Sequence, residues 1–273
     1  MGRRLFCEHG PLCYKISLLK EYAIRDAGDI LSGLRFAKER RQTPLQVIVK
    51  GHRSPIMRKL DGVDMRLQKN KEKNIAIASG KINGLLIKPG ETFSFWKTVG
   101  ETKEKDGYLE GLSIFGTRLG SSIGGGLCQL ANLINWMVLN SPLTVTEIHH
   151  HTDALFPDSE RRVPFGTGTS IFFKNIDYRF RNDTDQCVQL LVWISEGDLC
   201  GELRSEKPFS YRYRIAEEDS HYTYENGAYY RVSKIYKLTF GAAGELLDKK
   251  LVLKNHSQVM YDPALIPKME IRA

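Results

Sequence analysis

Three consecutive glycines, Gly124, Gly125 and Gly126, stand just ahead of Leu127 and Cys128 in the stretch SSIGGGLCQLANLINWMV, residues 121–138. Glycine reaches backbone angles that other residues resist and lets other groups come close, so the run predicts a tight turn. Behind it Leu127, Leu130, Ala131, Ile134 and Val138 repeat with helical period, and Asn140-Ser141-Pro142 stops the repeat. The pattern predicts a helix from Cys128 to about Leu139. A cysteine in a first helical turn lies among unpaired N–H groups at the positive end of the helix dipole, where a thiolate is favoured.

The rest of the chain divides around this junction. Before it, Ile16, Leu19, Ala23, Ile30, Leu34 and Ala37 mark an amphipathic helix or a broken pair over 14–41, with Gly28 and Gly33 as weak points. A second, basic helix is expected over 64–82. The run 92–96, TFSFW, alternates and is aromatic, so it reads as a strand. Residues 106–126 hold seven glycines in 21 positions, a density that indicates tight turns around a site. After Pro142 the reading is mostly β, with strands expected at 169–175, 178–182, 187–195, 199–205, 210–216, 228–240 and 246–255. Gly241 to Gly244 is a hairpin connection between the last two. Helices first, a mixed centre and a β-rich C-terminal half make an α+β chain. Three regions are expected: 1–74, helical and basic; 75–205, the core domain; and 206–273, a β-rich extension packed on the core.

The 273 residues suffice for a sizeable core, and no run of 18 uncharged apolar residues exists. The start, MGRRLFCEHGPLCYK, has no apolar segment of a secretory signal, so a cytoplasmic protein is expected. The net charge of +8 is that of a solvated basic surface and leaves an anionic polymer or a membrane surface open as partners. No nucleic-acid motif accompanies it. The five cysteines, 7, 13, 128, 187 and 200, form no CxxC pair. Cys7, His9 and Cys13 lack a fourth metal ligand, so reduced thiols are expected, with neither metal nor cofactor, and Cys187 and Cys200 are expected buried and unpaired.

Cys128 is the candidate nucleophile, against the reading of an inert thiol. Gln129 can donate its side-chain amide to an oxyanion, or simply cap and pack the first turn. Gly124, Gly125 and Gly126 can let a substrate approach, and either reading needs a tight backbone there. In 147–153, EIHHHTD, an extended backbone puts His149 and His151 on one face and His150 on the other. One imidazole can serve as base to Cys128 if Glu147, Asp153 or Asp158 orients it, and the alternative is a surface loop. Tyr108 can line a pocket or sit in the core. Arg118 can grip a substrate carboxylate or stay solvated.

These residues also carry a family resemblance. LLIKPGETFSFWKTVGETKEKDGYLEG, then IGGGLCQLANLINW, then EIHHHT, then FFKNIDYRFRNDTD follow one another in the order of the VanW-like family, over about residues 75–195. That family is associated with glycopeptide-resistance, including vancomycin-resistance, gene clusters and with bacterial envelope proteins. The resemblance implies a cysteine-dependent acyl transferase of the L,D-transpeptidase kind, or an amide hydrolase, acting on a peptide-like substrate such as peptidoglycan stems. The alternative is a non-catalytic accessory or binding protein of that family, in which the glycine turn and Cys128 are structural. Residues 166–171, GTGTSI, depart from the family pattern, with Gly168 where many members carry an acid.

Overall fold

The computed structural model describes residues 5–57, 64–115, 118–150, 153–154, 157 and 163–272; the side chains at 114, 115, 118 and 119 lie outside the description. The chain runs α1 (Pro11–Leu31), β1 (Val47–Pro55), α2 (Met65–Ile82), β2 (Leu85–Ile87), β3 (Thr92–Ser94), α3 (Phe95–Val99), β4 (Glu110–Phe115), β5 (Arg118–Ile123) and α4 (Cys128–Leu139). It continues with β6 (Thr144–Glu147), β7 (Asp153–Ala154), β8 (Arg179–Arg181), β9 (Val188–Ser195), β10 (Asp198–Ser205), β11 (Arg212–Glu225), β12 (Ala228–Phe240), β13 (Leu246–Val259) and β14 (Ile271–Arg272). This is an α+β fold whose C-terminal half is rich in strand.

The core forms where α2 and α4 cover a four-stranded sheet of order β1-β10-β9-β2. The first five residues of β9, Val188 to Val192, are all buried, as a strand covered on both faces requires. Helix α4 buries Leu130, Ala131, Ile134, Met137 and Val138. Each of the larger side chains contributes roughly 1.5–3 kcal/mol by leaving water. Close approach depends on Gly201 in β10: a Cβ there would stand 2.5 Å from Leu133 Cδ2 and 2.8 Å from Met137 Cε. A second sheet, β3-β8-β6, adds Phe93 and Phe180, stacked at 4.9 Å. The long strands β11, β12 and β13 form the C-terminal sheet, and the chain turns between β12 and β13 at Gly241–Gly244 as the sequence indicates.

Helix α1 inverts its expected packing. It is 11–31 rather than 14–41, and none of its residues is buried. Leu12, Leu19 and Ile30 are 71%, 65% and 79% exposed. Its polar side faces the protein instead. Arg25 binds Glu147 at 2.5 Å, Asp26 binds Lys174 at 2.5 Å, and Asp29 takes Arg179 at 2.5 Å and Lys97 at 2.9 Å. Arg179 also reaches Asp177 at 2.8 Å, so a network of alternating charges fastens the helix.

Two strand expectations are corrected. The run 92–96 stays extended only to Ser94, because the Ser94 hydroxyl accepts the Lys97 N–H at 3.2 Å and Asp177 accepts the Trp96 N–H at 3.1 Å. Those bonds cap a helix at Phe95. Residues 169–175 form no ladder: Phe172 and Ile176 close on each other in a turn, with Lys174 at φ 54°. All five cysteines are free; Cys200 is buried as expected, whereas Cys187 is partly exposed. Among the described residues, no helix is long and apolar enough to cross a membrane.

Candidate functional site

The glycine turn is filled by the protein's own atoms. Gly124 and Gly126 take φ values of 78° and 96°, in the left-handed region that favours glycine. A Cβ on Gly124 would lie 2.5 Å from Thr102, one on Gly125 2.1 Å from the Gly111 carbonyl oxygen, and one on Gly126 2.0 Å from Lys71 Cγ. The three positions are thus glycine because α2, β4 and the 101–103 loop converge on them. Asn74, fully buried on α2, holds the turn. Its amide donates to the carbonyls of Leu109 at 2.9 Å and Gly125 at 3.0 Å, and its Oδ1 accepts the Leu109 N–H at 2.8 Å.

Helix α4 begins at Cys128 and ends at Leu139, as its period indicates. The Gln129 and Leu130 N–H groups close on the Gly126 and Leu127 carbonyls. Among the described residues, the N–H groups of Gly126 and Leu127 have no protein acceptor. The Ile171 N–H and its own N–H favour the ionised thiol. Burial nevertheless outweighs both and pushes the thiol up from its ordinary value, opposite to the depression expected at a helix start. Among the described residues, no imidazole is among the groups acting on it.

Cys128, Gln129, Asn132 and Trp136 are the residues of α4 left partly exposed, and they form one stripe along it. Segment 167–171 closes one side: Thr169 N–H donates to Asn132 Oδ1 at 2.7 Å, and Asn135 donates to the Thr167 carbonyl at 2.6 Å. Strand β1 closes the other. Gln129 spends both amide hydrogens on it, on Ser54 Oγ at 2.9 Å and the Pro55 carbonyl at 2.8 Å. In this arrangement Gln129 docks α4 on β1 rather than facing the thiol. Further along, Lys50, His52, Arg53 and Trp136 line a cleft of about 440 Å³.

The histidine segment lies on the far side of 167–171. Ser170 N–H donates to the His149 carbonyl at 2.7 Å, one residue from the Ile171 N–H that meets the thiol. The His149 ring sits 3.1 Å from Glu147 Oε1, and His150 Nδ1 lies 3.1 Å from the Gly168 carbonyl. His151 and Asp158 lie outside the described residues, as does the side chain of Arg118. Burial favours protonation of Glu147, but the Arg25 guanidinium, the Asp177 N–H and His149 outweigh it and hold the carboxyl below its ordinary value. Tyr108 is wholly buried in the core, its hydroxyl without a partner among the described residues, and burial with Asp106 nearby pushes it up to about 12. Among the described residues, no three His, Cys, Asp or Glu side chains are grouped to hold a metal.

Sequence reasoning did not single out Asn74, Asn132 or Asp177. Their roles arise from side chain to backbone contacts between distant segments, and a lone polar residue in a helical pattern gives no signal of its partner. Gly111 and Gly201 were similarly silent.

A family model described as VanW like protein matches residues 70–204. The chain is 35% identical over 201 residues to the Vancomycin B-type resistance protein VanW of Enterococcus faecalis (strain ATCC 700802 / V583), covering 73% of each chain. It is 26% identical over 146 residues to the uncharacterized protein YoaR of Bacillus subtilis (strain 168), covering 54% of this chain and 46% of that one. No solved structure matches.

Proposed function

The chain belongs to the VanW-like family, and from that membership we propose that it is a cysteine-dependent acyl transferase, or amide hydrolase, of glycopeptide resistance, acting on a peptide-like, cell-wall-related substrate. One observation carries the reading: Cys128 opens α4 on a stripe that stays partly exposed between β1 and segment 167–171, next to the N–H groups of Gly126 and Leu127, which have no acceptor among the described residues. In the proposed reaction the Cys128 sulfur bonds to a substrate carbonyl carbon, and the two free N–H groups steady the oxyanion. The C–N bond of the amide breaks, and the thiol proton reaches the leaving amine through a base. An incoming amine or water then takes the acyl group from sulfur. Segment 149–151 is the source of the base, since the His149 carbonyl is already bonded next to Ile171. The imidazole approaches on substrate binding, since the rings of His149 and His150 rest on Glu147 and on the Gly168 carbonyl.

The raised thiol favours a second reading, an accessory protein that binds such a substrate without reacting. Incubating the parent and a Cys128→Ala variant with peptidoglycan stem peptides, with products resolved by mass spectrometry, separates the two. Acyl transfer requires new cross-linked or trimmed peptides from the parent and none from the variant. Equal binding with no product from either protein leaves the accessory reading.

A further inference from the structure

The stripe on α4 continues past Cys128 to Trp136, two helical turns on. There the surroundings turn cationic. Lys50 Nζ lies 5.8 Å over the Trp136 ring, and the His52 ring stands 6.0 Å from the same indole. Arg53 is matched by Glu196 and Asp198 at 3.4 and 3.2 Å. Lys50 is not matched: among the described residues, neither it nor Arg214 is paired with a carboxylate. Burial and the repulsion of Arg214 push the Lys50 ammonium down. Lys50 beside the aromatic ring, in an open cleft of about 440 Å³, with the charge of Arg214 acting on it and neither cation paired with a carboxylate among the described residues, leaves a place for an anion.

The neighbouring backbone suits an extended chain. Among the described residues, strand β1 ends its sheet, paired to β10 on one side only. Its free edge offers N–H and C=O groups to an added strand. Eight residues of helix separate Cys128 from Trp136, about 12 Å at 1.5 Å per residue. An extended peptide spans that distance in three to four residues at roughly 3.3 Å each.

We propose that the cleft beside Lys50 and Trp136 is an anion subsite that takes a carboxylate of an extended peptide, three to four residues from the group presented to Cys128. The peptide character of the ligand rests on the acyl-transfer reading above; the anion preference rests on Lys50, with the charge of Arg214 acting on it. Phosphate-bearing polymer would meet the same cations but gains nothing from the indole or the strand edge.

The test uses the full chain carrying Cys128→Ser, so that binding is read without chemistry. The probes are acetylated tetraalanine of either chirality, each as free acid and as C-terminal amide, titrated by calorimetry to millimolar concentration. The expected result is that at least one free acid binds tenfold or more tightly than its amide. Lys50→Met with Arg214→Met should remove that preference, and Trp136→Phe should weaken acid and amide alike. Equal binding of acid and amide overturns the subsite, as does an unchanged preference in the double variant, or no binding of any acid. Inorganic phosphate displacing the acid at lower concentration than acetate does would assign the cleft to phosphate instead. Acid-selective binding without any acyl product from the parent keeps the subsite and removes the nucleophile.

Discussion

Replacing Asn74 by Ala should detach the glycine turn from α2 while leaving every apolar contact in place. Three hydrogen bonds disappear: two donated to the Leu109 and Gly125 carbonyls and one accepted from the Leu109 N–H. The Leu109 carbonyl still accepts the Gly124 N–H at 3.0 Å, so the groups left unsatisfied are the Leu109 N–H and the Gly125 carbonyl. The Gly125 carbonyl is in a buried contact and the Leu109 N–H in a partly buried one; at about 1–3 kcal/mol for each group, the variant should be about 2–6 kcal/mol less stable. Asn74→Asp should be at least as damaging, because a carboxylate oxygen would then face two carbonyls in a fully buried position. Urea unfolding followed by circular dichroism measures both, and an unchanged slope certifies that the folded and unfolded states keep their compactness. A loss under about 1 kcal/mol in Asn74→Ala, below the cost of even one orphaned group, would refute the claim that this side chain holds the turn.

Gly125→Ala should be far worse than Gly201→Ala in the same unfolding assay. The first drives a methyl to 2.1 Å from a backbone carbonyl oxygen, which cannot move without breaking the turn, whereas the second meets the ends of Leu133 and Met137, which can rotate; about 3 kcal/mol or more against about 1–2 kcal/mol is expected. The network under α1 should weaken in acid. Burial favours protonation of Asp29, but the hydrogen bonds and charges of Arg179 and Lys97 outweigh it and hold the carboxyl low, as Arg25 and its neighbours do for Glu147. A carboxyl depressed in the folded state contributes stability that is present above its unfolded value, near pH 4, and is lost as pH falls through its folded value. Thermal melting between pH 6 and 2 should therefore fall more steeply in the parent than in Glu147→Gln, and equal slopes would mean that Glu147 carries none of the effect.

The parts of the fold that were legible were those with a local code. The basic, helical pattern over 64–82 gave α2, and Asp64 caps its first turn through the Arg66 N–H at 2.7 Å. The glycine run and the 3.6-residue period gave α4 from Cys128 to Leu139. The strand-like runs gave β9, β10, β12 and β13, but only the start of β11, which is expected only to residue 216 and continues to Glu225. Helix α1 was half legible: its period is real, yet the apolar stripe faces outward because Arg25, Asp26 and Asp29 find ionic partners 120 to 150 residues away in sequence. The switch from strand to helix at Phe95 likewise depends on Asp177, which no local pattern announces. At the site, the sequence marks Cys128 and the turn before it. It does not mark what surrounds them: Gln129 is drawn to β1 by Ser54 and Pro55, Tyr108 is enclosed by the core, and the thiol meets a backbone N–H from Ile171. These are outcomes of tertiary packing, which overrides single-residue chemistry.

The most direct test of the central claim is the intact mass of the parent chain after brief incubation with a stem-peptide donor and acid quenching. A cysteine nucleophile predicts a mass gain equal to the acyl group, mapped to the fragment that holds Cys128 and absent from Cys128→Ser. Acyl-transfer product formed by Cys128→Ser at the parent's rate would contradict it, as would a parent that turns over the peptide without ever carrying the acyl group at Cys128.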